Sequence, residues 1–313
     1  MADNAAPNRQ FDQRSPFEKH PGGIPGKGVG GALAFLGPVT WTARKALFSG
    51  RKLTARRRAL PDFIIVGAQK SGTSSLYNYL CQHPSILPAA HKEVHFFDFH
   101  FQKGTLWYRS HFPMRLGAAG TRGTCITGEA TPYYLVHPAV ASRCRETLPD
   151  VRLIFVLRNP IDRAYSHYQH CVRRGRDDAR TFEEALAREP ERLAKEAQKM
   201  PRDGNFVGGA LQHHSYLRRG AYIDDIERWL ALYPREQMLF LSTEELLHEG
   251  QNQYNRIVEF LGLSSFMQVN WRKENVGSYP DMSAETRTGL INHFRPFNER
   301  LFEFLGHRFP WDN

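Results

Sequence analysis

One junction constrains this chain more than any other: the apolar run Phe63-Ile-Ile-Val66 leads directly into Gly67-Ala-Gln-Lys-Ser-Gly-Thr-Ser-Ser75. Such a run, rich in β-branched residues, reads as a strand covered on both faces. Helical periodicity begins at Ser74–Gln82, so the glycine-bearing segment is a tight strand-to-helix turn. Gly67 and Gly72 let successive backbone N–H groups and the next helix N-terminus point at one anion. Lys70 adds a mobile cation, and Ser71, Thr73, Ser74 and Ser75 add hydroxyl donors. The segment reads as a phosphate cradle. It is not a Walker A loop, because GxxxxGK[ST] needs Lys where Thr73 stands.

A second apolar run, Val151-Arg-Leu-Ile-Phe-Val-Leu157, predicts another central strand and delivers Arg158-Asn-Pro160 at its end. Pro160 suits the first turn of a helix over Ile161–Val172. Ser166 stands eight residues after Arg158, about two turns into it. An arginine and a hydroxyl at a strand's carboxyl edge make a second phosphate site near the first, so the ligand is expected to be bis-anionic. P-loop NTPases place an Asp on a later strand for Mg²⁺; here the position holds Arg158, and no metal is expected. Further helical periods lie at Tyr222–Tyr233, Asn252–Leu261 and Ser283–Leu305, with Trp229 and Tyr233 as core residues. The alternation predicts an α/β fold with a mostly parallel central sheet flanked by helices around a P-loop-like nucleotide-binding core. Residues 173–209 are charged and punctuated by glycine, and read as a helical insertion facing the acceptor.

The chain has 313 residues, 41% hydrophobic and 12% aromatic, which excludes a disordered chain. Its net charge of +10 is unevenly spread. Residues 1–60 hold 11 Lys/Arg against 3 Asp/Glu, whereas residues 61–313 hold 31 against 29. The near-neutral body, without RNP-like or zinc-finger patterns, argues against nucleic acid as a partner. Residues 1–60 are therefore a basic leader, and 61–313 the folded domain. Within the leader, Phe35, Leu36, Trp41, Leu47, Phe48 and Leu53 alternate with Arg44, Lys45, Arg51, Lys52 and Arg56–Arg58. It suits peripheral contact with an anionic membrane or an acidic partner, and equally a solvated tail with a short helix on the body. Cys81, Cys125, Cys144 and Cys171 are widely spaced, without CxxC, and read as free thiols in a reducing compartment. With Met1–Gln10 too polar for a signal peptide, the expected location is cytoplasmic.

The segment His91-Lys-Glu-Val-His-Phe-Phe-Asp98 supplies Glu93, His95 and Asp98 together. If Lys92–Phe97 is extended, Glu93 and His95 share a face, with Val94 and Phe96 on the other. Either could take a proton from an acceptor.

Taken in order, strand-GAQKSGTSSL, KEVHFFD, GEATPYYL, LIFVLRNPIDRAYSHY and YLRRGAYIDDIERWLALYP resemble the sulfotransferases that use 3′-phosphoadenosine 5′-phosphosulfate (PAPS). The likeness is to the heparan sulfate N- and 3-O-sulfotransferase branch and its bacterial relatives. It implies that Lys70, Ser71, Gly72, Thr73, Ser74 and Ser75 hold the 5′-phosphosulfate, and Arg158 and Ser166 the 3′-phosphate. Glu93 matches the catalytic base, with Lys70 and His95 beside it in catalysis and His95 and Asp98 lining the acceptor side. Lys273-Glu-Asn-Val-Gly-Ser-Tyr-Pro280 resembles the loop closing over the nucleotide, with Lys273, Gly277 and Ser278 reaching the 3′-phosphate. Arg219 and Tyr222 would border the adenosine. The implied activity is metal-free in-line sulfuryl transfer to a hydroxyl or amine, on a carbohydrate or other small acceptor. Ala130 and Ser74 stand where the branch carries Lys and Arg, which favours a less anionic carbohydrate than heparan sulfate. The alternative reading is an anionic-surface or nucleic-acid binder with a non-catalytic phosphate loop.

Overall fold

The computed structural model describes residues 50–115, 125–199, 208–265, 269–271 and 280–311. Most of the leader, residues 200–207 of the insertion, and Lys273, Gly277 and Ser278 lie outside the described residues.

Five strands, β1 (Phe63–Gly67), β2 (Ile86–Pro88), β3 (Ile126–Ala130), β4 (Arg152–Leu157) and β5 (Met238–Ser242), form one sheet in the order β2-β3-β1-β4-β5. Every neighbouring pair is parallel. Seven helices of eight or more residues are named here: α1 (Thr73–Leu80), α2 (Val140–Thr147), α3 (Pro160–Arg173), α4 (Phe182–Ala197), α5 (Tyr222–Leu230), α6 (Gly250–Phe260) and α7 (Ala284–Leu305). The continuous apolar runs follow from this layering. Ile64, Val66, Leu153, Phe155 and Leu157 face a core shared with α2, α5 and α7. Their alternates Phe63, Ile65, Ile154 and Val156 face one shared with α1 and α6. Side chains alternate across a strand, so a strand buried on both faces has no polar position to spare. Trp229 and Tyr233 are core residues, Tyr233 lying beyond the end of α5.

The last ten leader residues are tied to the body. Arg51 donates from Nε and Nη2 to the carbonyls of Ser110 and Phe112 at 2.7 and 2.8 Å. Arg58 donates to Phe112 at 2.9 Å and forms an antiparallel bridge with Met114. No helix of the described residues is long and apolar enough to cross a membrane.

Candidate active site

β1 and β4 are neighbours, so their carboxyl ends bring the cradle and Arg158 together. Gly67 closes β1 where a Cβ would fall 2.8 Å from Leu135 Cβ. Lys70 and Gly72 then both take left-handed backbone angles, φ 72° and 78°, which turn the chain sharply enough to start α1 at Thr73. The first N–H groups of a helix have no partner within it, and here they open above the strand ends. Arg158 Nη1 donates to the Lys70 carbonyl at 3.2 Å. The Thr243 hydroxyl lies 3.0 Å from the Ser71 carbonyl and 2.9 Å from that of Leu157, pinning the loop to β4. Arg219, 2% exposed, donates to Gln69 Oε1 at 2.7 Å and to the Gln212 carbonyl at 3.1 Å.

The cradle is cationic and under-bonded. Burial pulls the Lys70 ammonium below its usual pKa, and nearby Arg173 and Arg158 add to this. Neither Lys70 nor Arg158 has a carboxylate ion partner among the described residues. Ser71 is fully buried and its hydroxyl has no partner there. Thr73 is also buried, and Ser74 and Ser75 are half-buried on the first turn of α1. These residues fit an anionic group. Ser166 is buried on α3. A hollow of about 190 Å³ beside Arg158 is lined by Asp162, Tyr165, Asp281, Met282 and Arg287 rather than by Ser166, with Asp162 paired to Arg287 at 2.6 Å. Tyr222 corrects an expectation: it is 1% exposed in the core, with its hydroxyl donating to the Arg158 carbonyl at 2.9 Å. It positions Arg158 and presents no open face to a nucleotide.

Glu93, His95 and Asp98 meet by a different backbone path from the one expected. Residues 92–97 are not extended. Glu93 and His95 take φ 61° and 53°, and Phe96–Phe99 is a helical turn. Burial of Val94 and Phe96 in the core fixes the segment. The Glu93 N–H donates to the carbonyl of Ala130 at the end of β3, at 3.2 Å. His95 therefore lies between two carboxylates: Nδ1 is 2.6 Å from Asp98 Oδ2 and Nε2 is 3.6 Å from Glu93 Oε2. Lys92 Nζ holds Glu93 Oε1 at 2.7 Å. Burial opposes charge on His95, but Asp98 and Glu93 outweigh it and raise the imidazole to about 10. Burial likewise opposes charge on Glu93, yet His95 and Lys92 bring its carboxyl down to about 2. At neutral pH an ionised Glu93 therefore faces an imidazolium. The Glu93 side chain keeps 46% of its exposure while that of Asp98 has none, so Glu93 is the one open to an incoming group.

Two supports were not named as site residues in the sequence reading. Glu129, fully buried, accepts from the Thr131 hydroxyl at 2.6 Å and from the hydroxyls of Tyr108 and Tyr134. Burial raises its pKa. Tyr134 also accepts the Phe96 N–H at 2.8 Å, so Glu129 braces the 93–98 segment from below. Its signal was the GEATPYYL motif, whose glutamate stands two residues before a threonine and precedes a tyrosine pair. Thr243 carried no signal of its own.

A family model, the sulfotransferase domain, matches residues 60–279. The chain is 29% identical to the human heparan sulfate glucosamine 3-O-sulfotransferase 3A1 over 98% of this chain and 75% of that protein. It is 24% identical to kil1, a membrane-associated sulfotransferase of Dictyostelium discoideum, over 81% and 67%. Among solved structures, a sulfotransferase from Alicyclobacillus acidocaldarius matches with a TM-score of 0.63 and 31% identity, covering 82% of this chain and all of that one. The expected cytoplasmic location is corrected by these relatives, one of which is membrane-associated by name. Cysteine was a poor guide: all four thiols are free in the fold, Cys144 and Cys171 fully buried. Thiols that the fold keeps apart stay free in any compartment.

Proposed function

The chain belongs to the sulfotransferase family, enzymes whose sulfuryl donor is PAPS, and on that premise we propose that it sulfates a carbohydrate hydroxyl or amine with Glu93 as general base. The observation that carries the reading is the contact of Arg158 with Lys70: two cations without carboxylate partners among the described residues, on adjacent strand ends. A donor anionic at both its 5′ and 3′ positions suits that pair. The relatives' names, with glucosamine of heparan sulfate as acceptor, support the carbohydrate.

The residues divide the work. Lys70, Ser71, Gly72, Thr73, Ser74 and Ser75 hold the 5′-phosphosulfate through loop amides, hydroxyls and one ammonium. Arg158, held by Tyr222, takes the 3′-phosphate with Ser166. Lys273, Gly277 and Ser278 join them on the strength of sequence alone. The donor supplies the sulfuryl group and a phosphate leaving group. Glu93, ionised and half-exposed, takes the acceptor's proton, while His95 and Asp98 orient it and line the acceptor side. Residues 173–209 form the acceptor-facing insertion of a catalytic domain running to residue 313. Transfer is metal-free in this proposal, because the strand end that carries a Mg²⁺-binding Asp in P-loop NTPases carries Arg158.

Glu93→Gln keeps the shape of the side chain and removes its basicity. Turnover of PAPS with a glycan acceptor is expected to fall on the order of 10²- to 10⁴-fold, with binding of adenosine 3′,5′-bisphosphate unchanged. A nearly active Glu93→Gln beside a dead His95→Asn would give the base role to the imidazole.

A further inference from the structure

Away from the site, residues 50–60 and 101–115 come together into one surface. The turn Ala55–Arg57 packs against the short helix Gly104–Arg109, and Arg51, on the helical turn ending at Leu53, reaches the carbonyls of Ser110 and Phe112 just beyond it. Arg109 Nη1 donates to the Arg58 carbonyl at 2.6 Å, and the backbone joins at Ala59 to Pro113 (3.0 Å) and Arg115 to Arg57 (2.9 Å). These 26 residues contain eight Lys/Arg and no Asp or Glu, in a protein whose body is otherwise near balance. The cations divide by role. Arg51, Arg58 and Arg109 turn inward onto carbonyls, whereas Lys52, Arg56, Arg57, Lys103 and Arg115 are exposed.

Apolar side chains stand among them. Leu53 is 91% exposed, Leu106 49% and Met114 39%, three of the seven large hydrophobic residues exposed among the described residues. A polyanionic chain would neutralise the cations but leave these side chains in water. A bilayer with acidic headgroups satisfies both kinds of group at once. We propose that this surface docks the protein on an anionic lipid bilayer, with the five outward cations among the headgroups and Leu53, Leu106 and Met114 at the acyl boundary. Tyr108, on the same short helix as Leu106, bonds to Glu129 beneath the 93–98 segment. The docking surface and the 93–98 segment are thus joined through the core by one buried hydrogen bond. The proposal is independent of which residue serves as base.

Co-sedimentation of the full chain with phosphatidylcholine vesicles, with and without phosphatidylserine, tests it. Binding is expected only with phosphatidylserine and is expected to weaken as salt rises. Combined Lys52→Gln, Arg56→Gln and Arg57→Gln should weaken it on the order of 100-fold, about fivefold for each cation lost. Leu53→Ser with Leu106→Ser should weaken it as well, with the thermal shift given by adenosine 3′,5′-bisphosphate unchanged as proof of fold. Absence of vesicle binding overturns the proposal. So does undiminished binding of the charge variant, which would assign the contact to residues 1–49. Loss with the charge variant but not with the leucine variant also overturns it, making the face a polyanion site. A readout free of substitutions is hydrogen exchange: amides of 50–60 and 101–115 should slow with phosphatidylserine vesicles, and unchanged exchange there contradicts docking.

Discussion

At Glu93 the same contacts that guarantee ionisation also limit basicity. Lys92 and His95 keep the carboxyl down at about 2 against the burial that would raise it, so the acid limb of the rate profile is expected to lie below the pH at which most folds survive. His95→Asn removes one of these contacts. Its acid limb should move up toward the ordinary carboxylate value of 4.5, with a smaller loss at neutral pH than Glu93→Gln gives; a pH–rate series on the two variants checks this. Stability follows the same charges with opposite signs. His95 has a raised pKa, so its contribution is complete below 6.5 and is lost as pH rises toward about 10. Glu93 has a depressed pKa, so its contribution is complete above 4.5 and is lost as pH falls toward about 2. Urea midpoints of His95→Asn should therefore lose part of the alkaline dependence seen in the unaltered protein. At the other end of the site, Arg158→Ala should erase the preference for adenosine 3′,5′-bisphosphate over AMP, a loss of roughly 10- to 100-fold for one charge-assisted contact. An unchanged ratio would place the 3′-phosphate elsewhere.

The turn after β1 shows which elements can be read from a sequence and which cannot. Its glycines announce themselves, and each is needed for a different reason. Gly72 has φ 78° and open space, the nearest atom to a Cβ being Thr243 Cγ2 at 4.0 Å. Gly72→Ala should therefore cost only the left-handed penalty, about 1–2 kcal/mol. Gly67→Ala would drive a Cβ to 2.8 Å from Leu135 Cβ and within 3.2 Å of the Pro132 carbonyl, and should cost more, with loss of nucleotide binding as the loop shifts. Denaturant unfolding of the two variants measures the order. β1 and β4 were legible because burial on both faces leaves only apolar residues, save the half-buried Arg152 at the start of β4. β3 was not, because Ile126-Thr-Gly-Glu-Ala130 looks polar until Tyr108, Tyr134 and Thr131 are seen to satisfy Glu129. β2 has three residues, too few for a period. The 93–98 segment was misjudged for a related reason: its left-handed residues are Glu and His, and neither announces a turn as a glycine does. That Glu93, His95 and Asp98 would lie close together was legible in their spacing, while the contact they make depends on the core beneath Val94 and Phe96.

On the scale of the whole molecule, the Gly67–Ser75 loop and Arg158 stand at the ends of β1 and β4 and the 93–98 segment at the end of β3, all on one sheet edge. A ligand bridging the loop and Arg158 should stabilise the entire fold by linkage. Adenosine 3′,5′-bisphosphate is thus expected to raise the melting temperature more than AMP or ATP at equal concentration in EDTA, and a larger shift with ATP that requires Mg²⁺ would contradict the two-anion site. The most direct measurement joins donor, base and acceptor in one experiment: transfer of labelled sulfate from PAPS, in EDTA, to a panel of glycans, phenols, amines and lipids by the full chain and by Glu93→Gln. The expected result is label on a carbohydrate, undiminished by EDTA and lost on the order of 10²- to 10⁴-fold with Glu93→Gln. Label that reaches only phenols or lipids, that disappears with EDTA, or that survives Glu93→Gln would contradict it.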